Sequence, residues 1–357
     1  RFGFKSRGLG DVYKRQKQVG AHLDSRCGEL QIPALDYEES FQQVRHKLRD
    51  EVVLEHEQRH LVEAQRYFVD VPQVQIPTLL DHCSKRVTAM ERIHGGKVTD
   101  HRFERPAEKR RLARSIARAL IAKPIFSRRG QAMFHGDPHA GNLFLTADDR
   151  LAILDWSLVG TLGVAERVAI VQILLSAVTL DTERMTDVLI ALASNQPDAH
   201  RTRLLTADRV RRVRRGQFPG FRWLVELLDA SVQEAGLRFP VNMMLFRKAL
   251  HTLQGVIADV GGGDGQIDKT LSLEFIRHFV AEWPERWLRL PHSRDFATRL
   301  SNWDVSQTLF SFPVTMTRFW TAHAIDILNR GADCDSGPAR TESFSQAHKE
   351  SSCQYKL

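Results

Sequence analysis

Cysteine is scarce: Cys27, Cys83, Cys334 and Cys353 are the only four in 357 residues, and no two sit at metal-knuckle spacing. That excludes a cysteine-built zinc site and a disulfide framework, and it suits a reducing compartment. No uninterrupted apolar run reaches the roughly eighteen residues a membrane-crossing helix needs. The nearest stretch, Thr308 to Trp320, is short and broken by Pro313, Thr315 and Arg318. The first residues carry no leader pattern, so the expected location is cytoplasmic. Phosphate-loop glycines are missing too. Gly8-Leu9-Gly10 has no third glycine, no strand before it and no helix pattern after it. Gly261 to Gly265 is followed by no Lys-Ser/Thr pair at Walker spacing and reads as a flexible linker.

What the chain does have is positive charge and a sufficient core. A net charge of +8 suits anionic partners such as nucleotides or membrane surfaces, and a 42% hydrophobic content supports one large or two modest domains. Arg209 to Arg215 reads RVRRVRR with no aromatic residues interleaved to stack bases, so no nucleic acid is expected. A solvated helix face comes first for this run, with peripheral contact to an anionic membrane second.

The chemistry concentrates between Met133 and Leu162, MFHGDPHAGNLFLTADDRLAILDWSLVGTL. Short apolar runs at Leu143–Leu145 and Leu151–Leu154 flank a turn at Ala147, Asp148 and Asp149, which predicts a β-hairpin. Asp137 precedes Asn142 by five positions, and Asp155 follows by thirteen. A protein-kinase catalytic loop separates its base Asp and metal-binding Asn by the same five, with a second metal-binding Asp across a hairpin. The chemistry asks for this set. Mg²⁺ on a phosphoryl donor takes hard oxygen ligands, so a carboxylate and an amide oxygen must lie close together. A further carboxylate must orient the incoming hydroxyl or water. The competing reading gives all three residues turn and cap roles. His135 is expected to be buried and structural, tying the loop to the backbone near Asp155. His139 is expected to orient the loop or meet phosphate.

HGDPHAGNLF followed by LAILDWSLVGTL resembles the ABC1/UbiB/ADCK (AarF) family of atypical kinases, with its H-[AG]-D-P-H-P-G-N and D-F-G motifs. The resemblance implies an α+β, protein-kinase-like two-lobe fold with an incomplete small lobe and a mostly helical large lobe. It implies ATP and Mg²⁺ as cofactors. Asp137 would be the catalytic carboxylate, with Asn142 and Asp155 the metal ligands. The sequence departs at Ala140, where the family has Pro, and at Trp156-Ser157 in place of Phe-Gly. Losing that glycine stiffens the loop after the metal ligand. Aminoglycoside and choline phosphotransferases share part of the pattern.

The flanking segments follow from the same resemblance. Asp36 to Phe68 is helical in period, with a bend expected near Asp50. Glu57 falls on the Glu that pairs with the strand lysine, and His60 on a position where the family has Asn, able to meet phosphate. Read without the resemblance, Glu57 is one acid on a solvated face. Leu79-Leu80 and Arg86–Met90 read as a hairpin, and Met90, Glu91, Arg92 and Ile93 as the hinge whose backbone contacts adenine. Lys14 and Lys17 sit in no alternating strand, so the ATP-pairing lysine is missing and the chain reads as N-terminally truncated. The expected division is an artefactual or disordered end at 1–16, a partial small lobe at 17–95, a large lobe at 96–260, a helical extension at 267–330 and a disordered tail at 331–357. Helices are expected at Pro106–Ala122, Ala165–Ala177, Glu183–Ala193, Phe221–Ala230 and Pro240–Val260, with a turn at Thr161–Gly163. Trp283, Trp287, Trp303 and Trp320 are expected in the core, ahead of a membrane-facing groove.

The leading function is an ATP-binding, Mg²⁺-dependent atypical kinase or ATPase linked to quinone or isoprenoid lipid biosynthesis, with a lipid-like or small-molecule acceptor. An aminoglycoside- or choline-type phosphotransferase is the second reading. A pseudokinase scaffold that binds nucleotide without turnover is the third.

Overall fold

The computed structural model describes residues 54–310 apart from 102, 104 and 262, together with 19, 22 and 26. The expected bend near Asp50, Lys14, Lys17, Trp320 and the tail lie outside the described residues. Within them the fold is mixed α+β, mostly helical, with two small sheets.

Helix α1, Leu54–Phe68, buries Leu61, Ala64 and Phe68 at steps of three and four, while Glu55, Arg59 and Glu63 face out. Gln58 on its outer side donates to Ser84 O at 2.9 Å and Val87 O at 3.2 Å. That ties α1 to the expected hairpin, which forms through bridges Leu79–Met90 and Ser84–Val87. The four-stranded sheet runs β1 (Val74–Gln75), β5 (Leu151–Ile153), β4 (Leu143–Thr146), β2 (Gly95–Lys97), with β1 parallel to β5 and the other pairs antiparallel. Gly95 is needed for its small size, since a Cβ there would lie 2.3 Å from Leu145 O.

The second sheet pairs β3 (Ala132–His135) with β6 (Val159–Leu162). The turn expected at Thr161–Gly163 is therefore strand up to Leu162. Gly163 alone separates it from helix α3, Val164–Val178. A four-residue strand containing a glycine has too little alternation to read locally. Its partner lies almost thirty residues away, and only the pairing makes it a strand.

Helix α2, Pro106–Ala117, begins with proline at its first turn. It runs through a π-helical turn at Arg118–Ala122 into Lys123–Ile125, three residues past the expected end. Pro124 cannot donate to Leu120 O, and the widened turn absorbs that missing bond. Helices α4 (Thr182–Leu192), α5 (Ala199–Arg214) and α6 (Phe221–Gln233) follow α3. Asp181 and Asp198 cap α4 and α5 by accepting backbone N–H bonds. Helix α7, Val241–Val260, packs on α2 and β6, and α8, Gly263–Arg286, packs on α2 and α7.

Three expectations change here. The glycine stretch is no free linker: Gly261 ends α7 in the left-handed region at φ 89°, and α8 starts at Gly263. The arginine run keeps its expected solvated face at Arg211, Arg212, Arg214 and Arg215, and departs from it at Arg209. Arg209 is buried against Glu234, Arg211 and Arg212 pair with Asp208, and Val210 and Val213 face the core. Trp283, Trp287 and Trp303 are half or more exposed rather than core. Phe275, Phe279, Trp283 and Trp287 form a ladder at i, i+4 spacing, each ring about 6 Å from the next.

Candidate active site

The loop between β3 and β4 and the residues after β5 are held by a chain of hydrogen bonds. Gly136 N–H donates to Leu158 O at 2.8 Å, and a Cβ on Gly136 would press on Leu158 and Leu245. His135 is buried at 2% exposure. Its Nε2 donates to Leu154 O at 3.0 Å, and its Nδ1 accepts from Asp137 N–H at 3.1 Å. One ring thus joins the start of the loop to the residue before Asp155, as expected for a structural histidine. Burial lowers its pKa. The carbonyl of Leu154 and the charges of Asp155 and Asp137 oppose the shift without cancelling it.

Asn142 is the second joint. Its backbone N–H donates to His139 O at 2.9 Å, its carbonyl accepts from Leu154 N–H at 2.8 Å, and its side-chain Nδ2 donates to Asp137 O at 3.2 Å. With Nδ2 spent in this way, Oδ1 is the amide atom left for a ligand. Asp155 takes the left-handed conformation at φ 53°, unusual for a residue other than glycine. Its Oδ1 accepts from Ser157 N–H at 3.3 Å and Oγ–H at 2.6 Å, and the residue is exposed. Trp156 anchors the turn from behind. It is buried, its Nε1 donates to Ile153 O at 3.1 Å, and its ring packs on His135 and Phe68.

Helix α1 closes the cluster from the far side. His60 Nδ1 lies 3.1 Å from Trp156 O. Half-buried Glu57 bonds Thr88 and feels the charge of Asp155; burial first, and that charge second, raise its pKa. Asp137, Asn142, Asp155, Glu57 and His60 are therefore one neighbourhood, built from α1, the β3–β4 loop and the end of β5. His139 is at its margin: it is exposed, and its Nδ1 accepts from Gly141 N–H at 3.0 Å, closing the short 3₁₀ turn Ala140–Asn142.

The expected hinge, Met90 to Ile93, is tied to β1 and the residues after it rather than directly to this cluster. Glu91 N–H donates to Thr78 O at 2.7 Å, and its carboxylate accepts from Gln75 Nε2 at 2.9 Å and Thr78 N–H at 3.2 Å. That side chain braces the segment against β1, so any adenine contact there would come from main-chain atoms.

The donor set fits Mg²⁺ held together with phosphates. One amide oxygen and one carboxylate are hard ligands of the kind Mg²⁺ takes when substrate supplies the rest. The charge of Asp155 adds to burial in raising the cost of ionising Glu57, and a cation would relieve it. Among the described residues there is no group of three His, Cys, Asp or Glu side chains able to hold a metal unaided. The residue that sequence reasoning missed is Lys248 on α7, whose Nζ lies 3.2 Å from Asp137 Oδ1. The available signal was an Arg247-Lys248 pair in an otherwise apolar helix.

Comparison with known proteins gives a family match and several partial relatives. The family model described as ABC1 atypical kinase-like domain matches residues 21–189. An uncharacterised aarF domain-containing protein kinase, chloroplastic, of Arabidopsis thaliana is 30% identical over 162 residues, 43% of this chain and 29% of the relative. A probable protein kinase UbiB of Marinobacter nauticus is 30% identical over 122 residues, 32% of this chain and 22% of the relative. The match thus spans less than a third of the length of these curated relatives. A solved erythromycin complex from Mycobacterium tuberculosis aligns with 70% of this chain and 64% of its own, with a TM-score of 0.47 and 14% identity. No helix among the described residues is long and apolar enough to cross a membrane. Asp137, Asn142 and Asp155 all lie inside the matched span, and residues 21–189 of this chain are similar to the ABC1 atypical kinase-like domain.

Proposed function

We propose that this chain binds ATP with Mg²⁺ and transfers or hydrolyses its terminal phosphoryl group, with a small or lipid-like molecule as acceptor. The observation that carries the reading is the hydrogen-bonded convergence of Asp137, Asn142 and Asp155. In it, Asn142 Oδ1 and the Asp155 carboxylate would hold the cation. When bound, Mg²⁺ would neutralise phosphate charge as it develops on the donor. Asp137 would accept the proton of the incoming hydroxyl or water and keep it in line. His135 keeps Asp137 at a set distance from Asp155 through two backbone bonds. Glu57 would steady a lysine ahead of α1, His60 Nε2 would meet phosphate or its water, and the main chain of Met90 to Ile93 would take the adenine edge.

The acceptor class follows from what lies between β6 and α3. Gly163 is the only residue there, so the chain offers no peptide-docking segment at the place where protein kinases carry one. That favours a compact acceptor, and the kinship with UbiB-type proteins favours a quinone or isoprenoid lipid. An anionic membrane would be approached peripherally.

The test is Mg²⁺-dependent ATP turnover by the purified chain beside Asp155→Ala, with and without vesicles carrying a quinone. Turnover should fall at least about a hundredfold in the variant. Equal turnover in both proteins would remove Asp155 from the metal site. Mg²⁺-dependent binding without turnover would favour the scaffold.

A further inference from the structure

The catalytic loop carries no cation of its own. Two residues after Asp137 stands His139, whose Nδ1 is taken by Gly141 N–H. Helix α7, more than a hundred residues downstream, brings one in. Asn242 Nδ2 donates to Thr161 Oγ1 on β6 at 3.3 Å, Leu245 closes on Gly136, and the Phe246 ring meets Phe134 of β3 edge-on at 5.0 Å. These contacts on successive turns fix the helix against the loop and put Lys248 Nζ 3.2 Å from Asp137 Oδ1.

The pair does not explain itself as fold glue. Lys248 is 57% exposed and Asp137 38% exposed, and an ion pair that open to water adds little to stability. Phe246, Leu250 and Leu253, all buried, already hold α7 in place. A flexible four-carbon stem ending in a point charge suits a partner that changes during reaction. The electrostatics ask for such a group. Asp137, Asp155 and Glu57 place three carboxylates around the site, and a nucleotide triphosphate adds more negative charge.

We infer that Lys248 is the cation that meets the terminal phosphoryl group, moving from Asp137 to a phosphate oxygen when ATP binds. This deepens the function proposed above and rests on it. In the transfer, the bond between the terminal phosphorus and the ADP oxygen breaks, with its electrons going to ADP. The acceptor oxygen forms the new bond to phosphorus, and its proton passes to Asp137. Lys248 stays protonated throughout and neutralises the equatorial oxygens.

The test compares binding of Mg²⁺–ATP and Mg²⁺–ADP by titration calorimetry for the wild type, Lys248→Met and Lys248→Arg, with turnover measured alongside. Lys248→Met should weaken ATP binding about tenfold, leave ADP within about twofold, and lower kcat about a hundredfold or more. Lys248→Arg should restore most of the ATP preference and part of kcat. If Lys248→Met keeps the wild-type ATP-to-ADP ratio and kcat while Asp155→Ala abolishes turnover, the function stands and the role of Lys248 falls. Equal weakening of both nucleotides would make Lys248 structural and likewise overturn it. A wild type that binds neither nucleotide overturns both readings.

Discussion

Replacing His135 tests the joint that holds the site together. A carbonyl can only accept and a backbone N–H can only donate, so the bonds to Leu154 O and from Asp137 N–H dictate the neutral ring with its proton on Nε2. His135→Ala leaves both backbone groups without their partner beneath Trp156. Each buried unsatisfied group costs about 1–3 kcal/mol, and a water entering the space would return part of it. With the lost packing against Trp156, the expected destabilisation is about 3–5 kcal/mol, a large share of the roughly 5–15 kcal/mol that holds most domains together. Equilibrium urea unfolding at neutral pH measures it. His135→Asn should cost less, because a shorter polar side chain can recover one bond.

The same residue makes a signed prediction with pH. Burial holds the His135 pKa below the ordinary 6.5, so between the folded value and 6.5 the unfolded chain binds the extra proton and the folded chain does not. Stability in that window rises with pH and is lost on acidification, by at most about 1.4 kcal/mol per pH unit from this one group. The wild-type curve should therefore fall more steeply below pH 6.5 than that of His135→Asn, which lacks the group. A His135→Ala protein within about 0.5 kcal/mol of wild type, or parallel pH curves, would refute the joint.

Two further outcomes follow from packing and charge. At Gly160 a Cβ would lie 2.2 Å from the buried Phe134 ring, so Gly160→Ala should push Phe134 off Phe246 and destabilise by about 1–3 kcal/mol in the same unfolding assay. Burial alone would raise the Asp304 pKa, but hydrogen bonds from Arg294 and Ser301 and the charge of Arg294 outweigh it and hold it down at about 2. Its stabilisation is complete above the unfolded value near 3.8 and is lost as pH falls from there toward 2. Asp304→Asn should cost about 2–3 kcal/mol at neutral pH, less than a sealed pair because Arg294 is half exposed and can rehydrate, and the two stability curves should converge in acid.

Local pattern made much of this architecture legible. The helical period expected over Asp36–Phe68 is met by α1 in its described part, and the step from Leu112 to Ile116 is a buried face of α2 that Leu120 continues in the π-helical turn. The two apolar runs around Ala147–Asp149 are β4 and β5, because strand period and turn chemistry are written within a few residues of each other. Asp137, Asn142, Asp155 and His135 stood out for the same reason: the loop and the hairpin that join them are contiguous. Trp283 and Trp287 did not read correctly, since an i, i+4 aromatic ladder has the same period whether another element covers it or water does. Gly263 to Gly265 read as a break because their composition disfavours helix, yet packing of α8 on α2 and α7 overrides propensity.

By itself, then, the sequence determined which polar groups belong to one loop and hairpin, since covalent spacing limits where they can go. Only the tertiary structure decided what stands opposite them. Glu57 and His60, which in the sequence only the resemblance marked, arrive on α1, and Lys248, which nothing marked as a site residue, arrives on α7, through burial of apolar faces. Hydrophobic packing acts on area and shape, so the meeting of Lys248 with Asp137 is a consequence of how Phe246 and Leu245 fit the sheet rather than of any local pattern.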